Sequence, residues 1–139
     1  MPTSLASRPR PLVIYDGDCG LCCACIAWLR RRNGDALEFL PLQAPAANHL
    51  GIPPERLRQS LQLVEPDGAI FCAAAAALRL LARDPRHARW LGWYQRDATF
   101  AELSEAGYAF VARHRGALSV LLRWVGPREF AGAACQVPR

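Results

Sequence analysis

The fold is decided by residues 12–22, which read LVIYDGDCGLC. The four apolar residues at 12–15 are typical of a short buried strand. The Asp-Gly-Asp sequence that follows predicts a sharp turn. We expect a helix after this turn, with the side chain of Asp18 capping the free N–H groups of the first helical turn. The pattern therefore places Cys19 and Cys22 at the junction between a strand and a helix.

The expected helix carries an apolar stripe. The Asn33-Gly34 pair predicts its end, and the apolar residues at 37–42 predict a second strand. A strand, a helix and a strand in this order favour a right-handed crossover between parallel strands. The residues of the stripe recur at i, i+3, i+4 and i+7, which predicts one buried face; they are Cys22, Cys25, Ile26 and Leu29.

The rest of the chain predicts two more strands and several helices. Short apolar runs at 61–64 and 69–72 are joined by a Glu-Pro-Asp-Gly turn, which predicts a hairpin. We therefore predict an α/β fold with a mixed sheet of about four strands flanked by helices, and with extra helices in the C-terminal part. The helices expected here are a short one opening at Pro54, one at 73–82, and helices from Pro85 to Val125 with breaks near Gly92 and Gly107.

The composition fits one globular domain of 139 residues. The net charge is +5, but the arginines are scattered and do not predict a nucleic-acid-binding surface. No segment approaches the ~18 consecutive apolar residues that span a bilayer, and residues 1–11 lack the apolar core of a secretory signal. We predict a flexible N-terminal arm at residues 1–10, a domain at 11–126, a tail at 127–139, and a cytoplasmic location.

Six cysteines in a chain without a predicted export signal indicate redox chemistry, metal binding or burial. Two residues separate Cys19 from Cys22, so within one helical turn their sulfur atoms can bond with little backbone movement. In the first turn, free N–H groups and the helix dipole are expected to lower the pKa of Cys19, whereas Cys22 is expected to stay protonated. Cys19 would then attack a substrate disulfide, and Cys22 would resolve the mixed disulfide.

Asp16 ends the predicted buried strand, and its carboxylate has two interpretations. It is either the proton acceptor for Cys22, or it builds the turn together with Asp18. For Asp18 we favour the turn and the cap. For Asp16 both interpretations stay open.

The string Asp16-x-x-Cys19-x-x-Cys22, preceded by Val-Ile-Tyr, resembles the signature of the DCC family of predicted thiol–disulfide oxidoreductases. The likeness extends through the turn at 66–68 to YAFVARHR at 108–115, which is similar to the family's closing Tyr…Ala-Arg-x-Arg pattern. The resemblance implies a thioredoxin-like fold and assigns Asp16, Cys19 and Cys22 as the functional trio. It also implies that the substrates are poorly defined. We predict a disulfide-containing protein or a small thiol as substrate, an unknown thiol reductant as partner, and no bound cofactor.

Two alternatives from other functional classes remain. The first is a zinc or iron–sulfur site built from the cluster Cys19, Cys22, Cys23 and Cys25, although no second C-x-x-C is present and the three histidines (His49, His87, His114) are far apart in sequence. We therefore predict no metal. The second alternative is a thioredoxin-like interaction module that carries out no redox reaction.

The remaining cysteines have simpler interpretations. Cys25 is expected to pack in the core as a small apolar side chain, and Cys72 to be buried at the end of its strand. Cys23 is interpreted as an inert thiol, or as a partly exposed one that exchanges disulfides with Cys19. Cys135 would be a reactive thiol in the tail.

The aromatic residues of the C-terminal part have two interpretations. They either pack between helices or line an apolar groove beside the dithiol; they are Trp90, Trp93, Tyr94, Phe100, Tyr108 and Phe110. Arg113 and Arg115 are either helix-surface residues or a source of positive charge near Cys19.

Overall fold

The computed structural model describes residues 8–125, apart from the side chains at positions 122, 123 and 125. The tail predicted at 127–139, with Cys135, lies outside the described residues. Within the predicted N-terminal arm, Arg8 and Arg10 both form ion pairs with Glu38. Arg10 also donates a hydrogen bond to the carbonyl oxygen of Asp35 at 2.8 Å. These contacts hold the chain just before the first strand against the second one.

A four-stranded mixed sheet forms the centre of the molecule. Strand β1 pairs in parallel with β2 and antiparallel with β3, and β3 pairs antiparallel with β4, which confirms the predicted crossover and hairpin. The spatial order of the strands is β2-β1-β3-β4. Their bounds are Leu12–Tyr15 for β1, Glu38–Pro41 for β2, Gln62–Val64 for β3 and Ile70–Cys72 for β4.

Helices flank the sheet and dominate the C-terminal part, so the predicted α/β, thioredoxin-like architecture is confirmed. None of the helices within the described residues is both long and apolar enough to cross a bilayer. Their bounds are Gly20–Asn33 for α1, Pro54–Gln59 for α2, Ala73–Leu81 for α3, Ala88–Arg96 for α4, Ala98–Arg113 for α5 and Arg115–Val125 for α6. Short 3-10 helices span Gly34–Ala36 and Pro45–His49.

Two apolar clusters cover the two faces of the sheet. Successive residues of a strand point to opposite faces, so β1 contributes Val13 and Tyr15 to one cluster and Leu12 and Ile14 to the other. The first cluster packs against α1 and α3, and the second against α2 and the segment before it. All four residues of β1 are buried as a result. This central strand fixes the position of the turn that follows it.

The predicted breaks near Gly92 and Gly107 are wrong. Both glycines lie inside helices, α4 and α5 respectively, and the helices separate at Asp97 and His114 instead. The side chain of Asp97 accepts a hydrogen bond from the N–H of Phe100 at 3.1 Å and so caps α5. A glycine inside a helix costs only about 1 kcal/mol relative to alanine, which the packing of these helices offsets.

The predicted apolar stripe of α1 is only partly correct. Ile26 and Leu29 are buried as expected, but Cys23 lies in the core, whereas Cys25 is exposed. Helix α1 packs on β1 and α3 through its Cys23–Ile26 side. Cys22 and Cys25 therefore lie outside the core-facing side of the helix. Cys72, expected to be buried, is half-buried.

Candidate active site

Cys19 is the N-cap residue of α1. Its sulfur accepts a hydrogen bond from the N–H of Cys22 at 3.2 Å, and its backbone is extended, as is usual for an N-cap. The prediction that Asp18 caps this helix is wrong. The carboxylate of Asp18 accepts a hydrogen bond from the side chain of Gln43 at 3.1 Å instead. The capping position thus places a cysteine sulfur directly on the free N–H groups of α1.

The surroundings of Cys19 favour its thiolate. They lower the pKa of Cys19 to about 6, chiefly because the thiol of Cys22 donates a hydrogen bond to its sulfur. The N–H of Cys22 and the positive charge of Arg115 act in the same direction, whereas partial burial and the carboxylate of Asp16 oppose it. A thiol with a pKa of about 6 is mainly a thiolate near neutral pH.

The pKa of Cys22 is shifted in the opposite direction from that of Cys19. Its pKa is raised because its thiol is the donor in the hydrogen bond to Cys19, because it is partly buried, and because the negative charge of Cys19 is close. The guanidinium of Arg115 lies 3.8 Å from the Cys22 sulfur and partly opposes this shift. The pair thus combines one thiolate with one protonated thiol.

Arg115, the first residue of α6, reaches back into the site. Its Nη1 atom lies 3.5 Å from Oδ2 of Asp16 and 3.8 Å from the Cys22 sulfur. Its Nε atom donates to the carbonyl oxygen of Ala112 at 3.1 Å, which orients the guanidinium. Of the two arginines considered from the sequence, Arg115 supplies the charge at the dithiol, whereas Arg113 is exposed.

Gln43 holds the turn that precedes Cys19. Its Oε1 atom accepts the N–H of Gly17 at 2.9 Å, and its Nε2 atom donates to carboxylate oxygens of Asp16 at 2.8 Å and Asp18 at 3.1 Å. Asp16 also accepts the N–H of Asp18 at 3.0 Å. The backbone N–H of Leu42 bonds to the carbonyl of Tyr15 at 2.8 Å, which brings Gln43 alongside the turn.

Replacing Gln43 by alanine is expected to lower the free energy of unfolding by about 1–2 kcal/mol, because the N–H of buried Gly17 loses its partner. Urea denaturation of the reduced protein measures this change. Gln95→Ala, at an exposed position on α4, is the matched control and should change stability by less than about 0.5 kcal/mol. Equal effects of the two substitutions would show that Gln43 does not support the turn.

Helix α6, the last helix in the described part of the chain, packs against the N-terminus of α1. The hydroxyl of Ser119 accepts the N–H of Leu21 at 3.0 Å and donates to the carbonyl oxygen of Arg115 at 2.6 Å. A Cβ atom placed on Gly20 would lie 3.5 Å from Ser119, so the two helices touch at this point. The same helix therefore supplies both Arg115 and a second cap for α1.

Tyr108 joins α5 to the segment that leads into β3. Its hydroxyl accepts the N–H of Leu61 at 2.9 Å, and burial raises the pKa of Tyr108. Removal of the hydroxyl in Tyr108→Phe leaves this N–H without its partner, so we expect a loss of about 1–3 kcal/mol in the free energy of unfolding. Thermal or urea unfolding measures it.

Tyr94→Phe is the matched control for this prediction. The Tyr94 hydroxyl donates to Glu105 at 2.7 Å near the surface, where water can take over the bond, so its loss should cost less than about 1 kcal/mol. A Tyr108→Phe protein as stable as the Tyr94→Phe protein would contradict the assignment.

An apolar groove of about 330 Å³ lies directly beside Cys22. Its walls come from α1, α3, α5 and the segment 57–61, and both Cys22 and Cys25 line it. Tyr108 is part of the wall, which fits the groove interpretation of this residue. Three other aromatic residues (Trp90, Trp93 and Phe100) instead pack on one another with ring centroids 5.3–6.2 Å apart.

The cap Cys19 and the three cysteines of α1 do not converge on one point. Cys23 is buried in the core, whereas Cys22 and Cys25 line the groove. The surrounding protein raises the pKa of Cys25, and the nearby Cys19 charge adds to the shift. Among residues 8–125, no three His, Cys, Asp or Glu side chains are grouped as metal ligands would be. The geometry therefore matches a dithiol with an adjacent third thiol.

Comparison with known proteins agrees with this geometry. A protein of Bacillus subtilis (strain 168), "Uncharacterized protein YuxK", is 26% identical over 137 residues, which cover 94% of this chain and 88% of that protein. No solved structure matches the chain. The family model "DCC1-like thiol-disulfide oxidoreductase" matches residues 13–121, from β1 into α6, and so includes both the dithiol and Arg115. The chain therefore belongs to the DCC1-like thiol-disulfide oxidoreductase family.

Proposed function

We propose that this protein transfers electrons between thiols and disulfides, with Cys19 as the attacking thiolate and Cys22 as the resolving thiol. The observation that carries the proposal is the position of Cys19 as the cap of α1, where hydrogen bonds lower its pKa to about 6. A thiolate is the nucleophile in disulfide exchange. Resolution of the mixed disulfide within the same protein needs a second thiol within bonding distance, and Cys22 is one helical turn away.

The proposed reduction of a substrate disulfide has two steps. The thiolate of Cys19 attacks one substrate sulfur, the substrate S–S bond breaks, and the first substrate thiol leaves with a proton from solvent. Cys22 then loses its proton and attacks the sulfur of Cys19. The second substrate thiol is released, and Cys19 and Cys22 are left as a disulfide. Two electrons pass from the dithiol to the substrate.

We propose that Arg115 and Asp16 assist the second step, in which Cys22 loses its proton and attacks the sulfur of Cys19. The guanidinium of Arg115, 3.8 Å from the Cys22 sulfur, stabilises the negative charge that develops there as the proton leaves. Asp16 shares this guanidinium at 3.5 Å and is the proposed proton acceptor. Gln43 and the N–H of Asp18 hold its carboxylate in place.

The proposed substrates are disulfides of a protein or of a small thiol, and the proposed electron donor is another thiol. A compartment that keeps thiols reduced, such as the cytoplasm, would return the Cys19–Cys22 disulfide to the dithiol after each cycle. This requirement is the basis for the proposed cytoplasmic location.

Single-turnover reduction of a disulfide by the fully reduced protein tests the proposal. We expect one equivalent of insulin disulfide or hydroxyethyl disulfide to be reduced per protein, with Cys19 and Cys22 recovered as a disulfide by peptide mass mapping. Added dithiothreitol should then sustain turnover above the uncatalysed rate. A protein that reduces neither compound, and whose Cys19 and Cys22 stay unpaired, would instead be the redox-silent interaction module.

A further inference from the structure

The 60–61 wall of the groove beside Cys22 offers few free backbone groups to the main chain of a polypeptide. At its wall, the N–H of Ser60 bonds to the carbonyl of Arg56 at 3.4 Å, and the N–H of Leu61 bonds to the hydroxyl of Tyr108 at 2.9 Å. The carbonyl of Ser60 accepts from the side chain of Gln62, and that of Leu61 accepts the N–H of Ala73. An extended peptide therefore finds no free backbone N–H donor on residues 60 and 61, and their carbonyl oxygens already accept one hydrogen bond each.

The groove also offers little to a charged ligand. Within the described residues its only charged lining side chains are Asp16 and Arg115, which lie 3.5 Å apart and pair with each other. The rest of the wall is mainly carbon, including Leu57, Leu81 and Val111. A carboxylate or an ammonium entering it would lose water and would have to compete with the Asp16–Arg115 pair for a partner. Its volume lies at the lower end of the range of small-molecule sites.

We propose that this groove binds one apolar arm of a small, uncharged disulfide, and that such compounds are the preferred substrates. The inference rests on the proposed function and specifies its substrate class. With an apolar arm beside Cys22, the disulfide bond lies next to Cys19, whose thiolate attacks the substrate sulfur. The S–S bond breaks, one apolar thiol leaves with a proton, and Cys22 releases the second by forming the Cys19–Cys22 disulfide.

A series of symmetrical disulfides of similar length tests the preference. The series consists of dipropyl disulfide, hydroxyethyl disulfide, cystamine and dithiodipropionate, and each rate is divided by that with free dithiothreitol to remove intrinsic reactivity. We expect kcat/KM for dipropyl disulfide to exceed that for hydroxyethyl disulfide at least about tenfold, because an apolar pocket discriminates by this much per group. The two charged compounds should react more slowly still.

A pair of variants on α5 connects the preference to the groove. Val111→Asn places a neutral polar group on the wall, whereas Leu103→Asn makes the same kind of change at an exposed position outside it. We expect only Val111→Asn to reduce the advantage of dipropyl disulfide, by about tenfold. Both residues are solvent-exposed, so neither substitution opens the core.

Cys25 provides a readout that does not depend on activity. The experiment uses the double variant Cys19→Ser, Cys22→Ser and saturating dipropyl sulfide, which lacks an S–S bond. Because Cys25 lines the groove, dipropyl sulfide bound there should slow the alkylation of Cys25 several-fold. Cys72 lies outside the groove and serves as the internal control. Equal effects of dipropyl sulfide on both cysteines would contradict the inference.

The outcomes distinguish this inference from the proposed function. Reduction of all four disulfides at similar normalised rates, or faster reduction of a charged compound or of a polar peptide disulfide, overturns the substrate class and leaves the oxidoreductase intact. A protein that reduces no disulfide overturns both.

Discussion

Replacement of Cys19 by serine is expected to lower the rate of disulfide reduction by at least about 10³-fold, as the loss of an essential nucleophile does in other enzymes. The hydroxyl of serine does not ionise near neutral pH, even beside the hydrogen bonds that lower the pKa of the Cys19 thiol to about 6. The variant should still fold, because a serine oxygen accepts the N–H of Cys22 as the sulfur does. Insulin reduction in the presence of dithiothreitol measures the effect.

Cys25→Ser is the matched control for the nucleophile. Cys25 lies in α1, the helix that Cys19 caps, and is solvent-exposed, but desolvation by the surrounding protein and the charge of Cys19 raise its pKa. We expect its loss to change the rate of insulin reduction by less than about threefold. A Cys25→Ser protein as inactive as the Cys19→Ser protein would show that the nucleophile has been misassigned.

Replacement of Cys22 by alanine is expected to have two consequences. The mixed disulfide between Cys19 and the substrate loses its resolving thiol, so it should accumulate to nearly one equivalent and be visible by mass spectrometry. The pKa of Cys19 should also rise, because the hydrogen bond from the Cys22 thiol is the main cause of its lowering.

Cys22→Ser separates these two consequences. Serine cannot resolve a mixed disulfide, but its hydroxyl can still donate a hydrogen bond to the Cys19 thiolate. Both variants should trap the substrate, and the serine variant should keep a lower Cys19 pKa than the alanine variant. Continued turnover of either variant without a trapped intermediate would contradict the resolving role of Cys22.

Local sequence signals predicted most of the fold because each depends on neighbouring residues. The apolar run at 12–15, the turn at 65–68 and the Asn33-Gly34 helix end all depend on contacts close in sequence, and the structure has each of them. The breaks at Gly92 and Gly107 were wrong because glycine weakens a helix only slightly, whereas the cap at Asp97 needs the whole helix in place.

The supports of the candidate site could not be predicted in this way. Gln43 bonds to a residue 26 positions away, Tyr108 to one 47 positions away, and Ser119 to one 98 positions away. Gln43 and Ser119 are common polar residues outside any motif around the dithiol, and only the assembled fold brings them to the turn and to the start of α1, respectively. Tyr108 was singled out from the sequence, but its bond to Leu61 also depends on the assembled fold. Arg115 was considered from the sequence, yet its charge at the dithiol depends on α6 crossing the start of α1.

Helix α1 shows most clearly that the spacing of apolar residues does not by itself determine which side of a helix is buried. The spacing of Cys22, Cys25, Ile26 and Leu29 fits one stripe, but Cys23 and Ala24 complete the buried face instead. Cysteine and alanine are small enough to lie in a core or in a groove wall, so their spacing does not determine the rotation of the helix. The packing of α1 on β1 and α3 determines it.

The low pKa of the Cys19 thiol can be measured by alkylation of the native, reduced protein as a function of pH, with mass mapping of each cysteine. We expect Cys19 to react first, with a half-maximal rate near pH 6, and well before Cys25, whose pKa is raised. In denaturant, Cys19 should titrate as an ordinary thiol near pH 8.5. A native Cys19 that titrates with ordinary thiols, or that reacts after Cys25, would show that the fold does not activate this thiol.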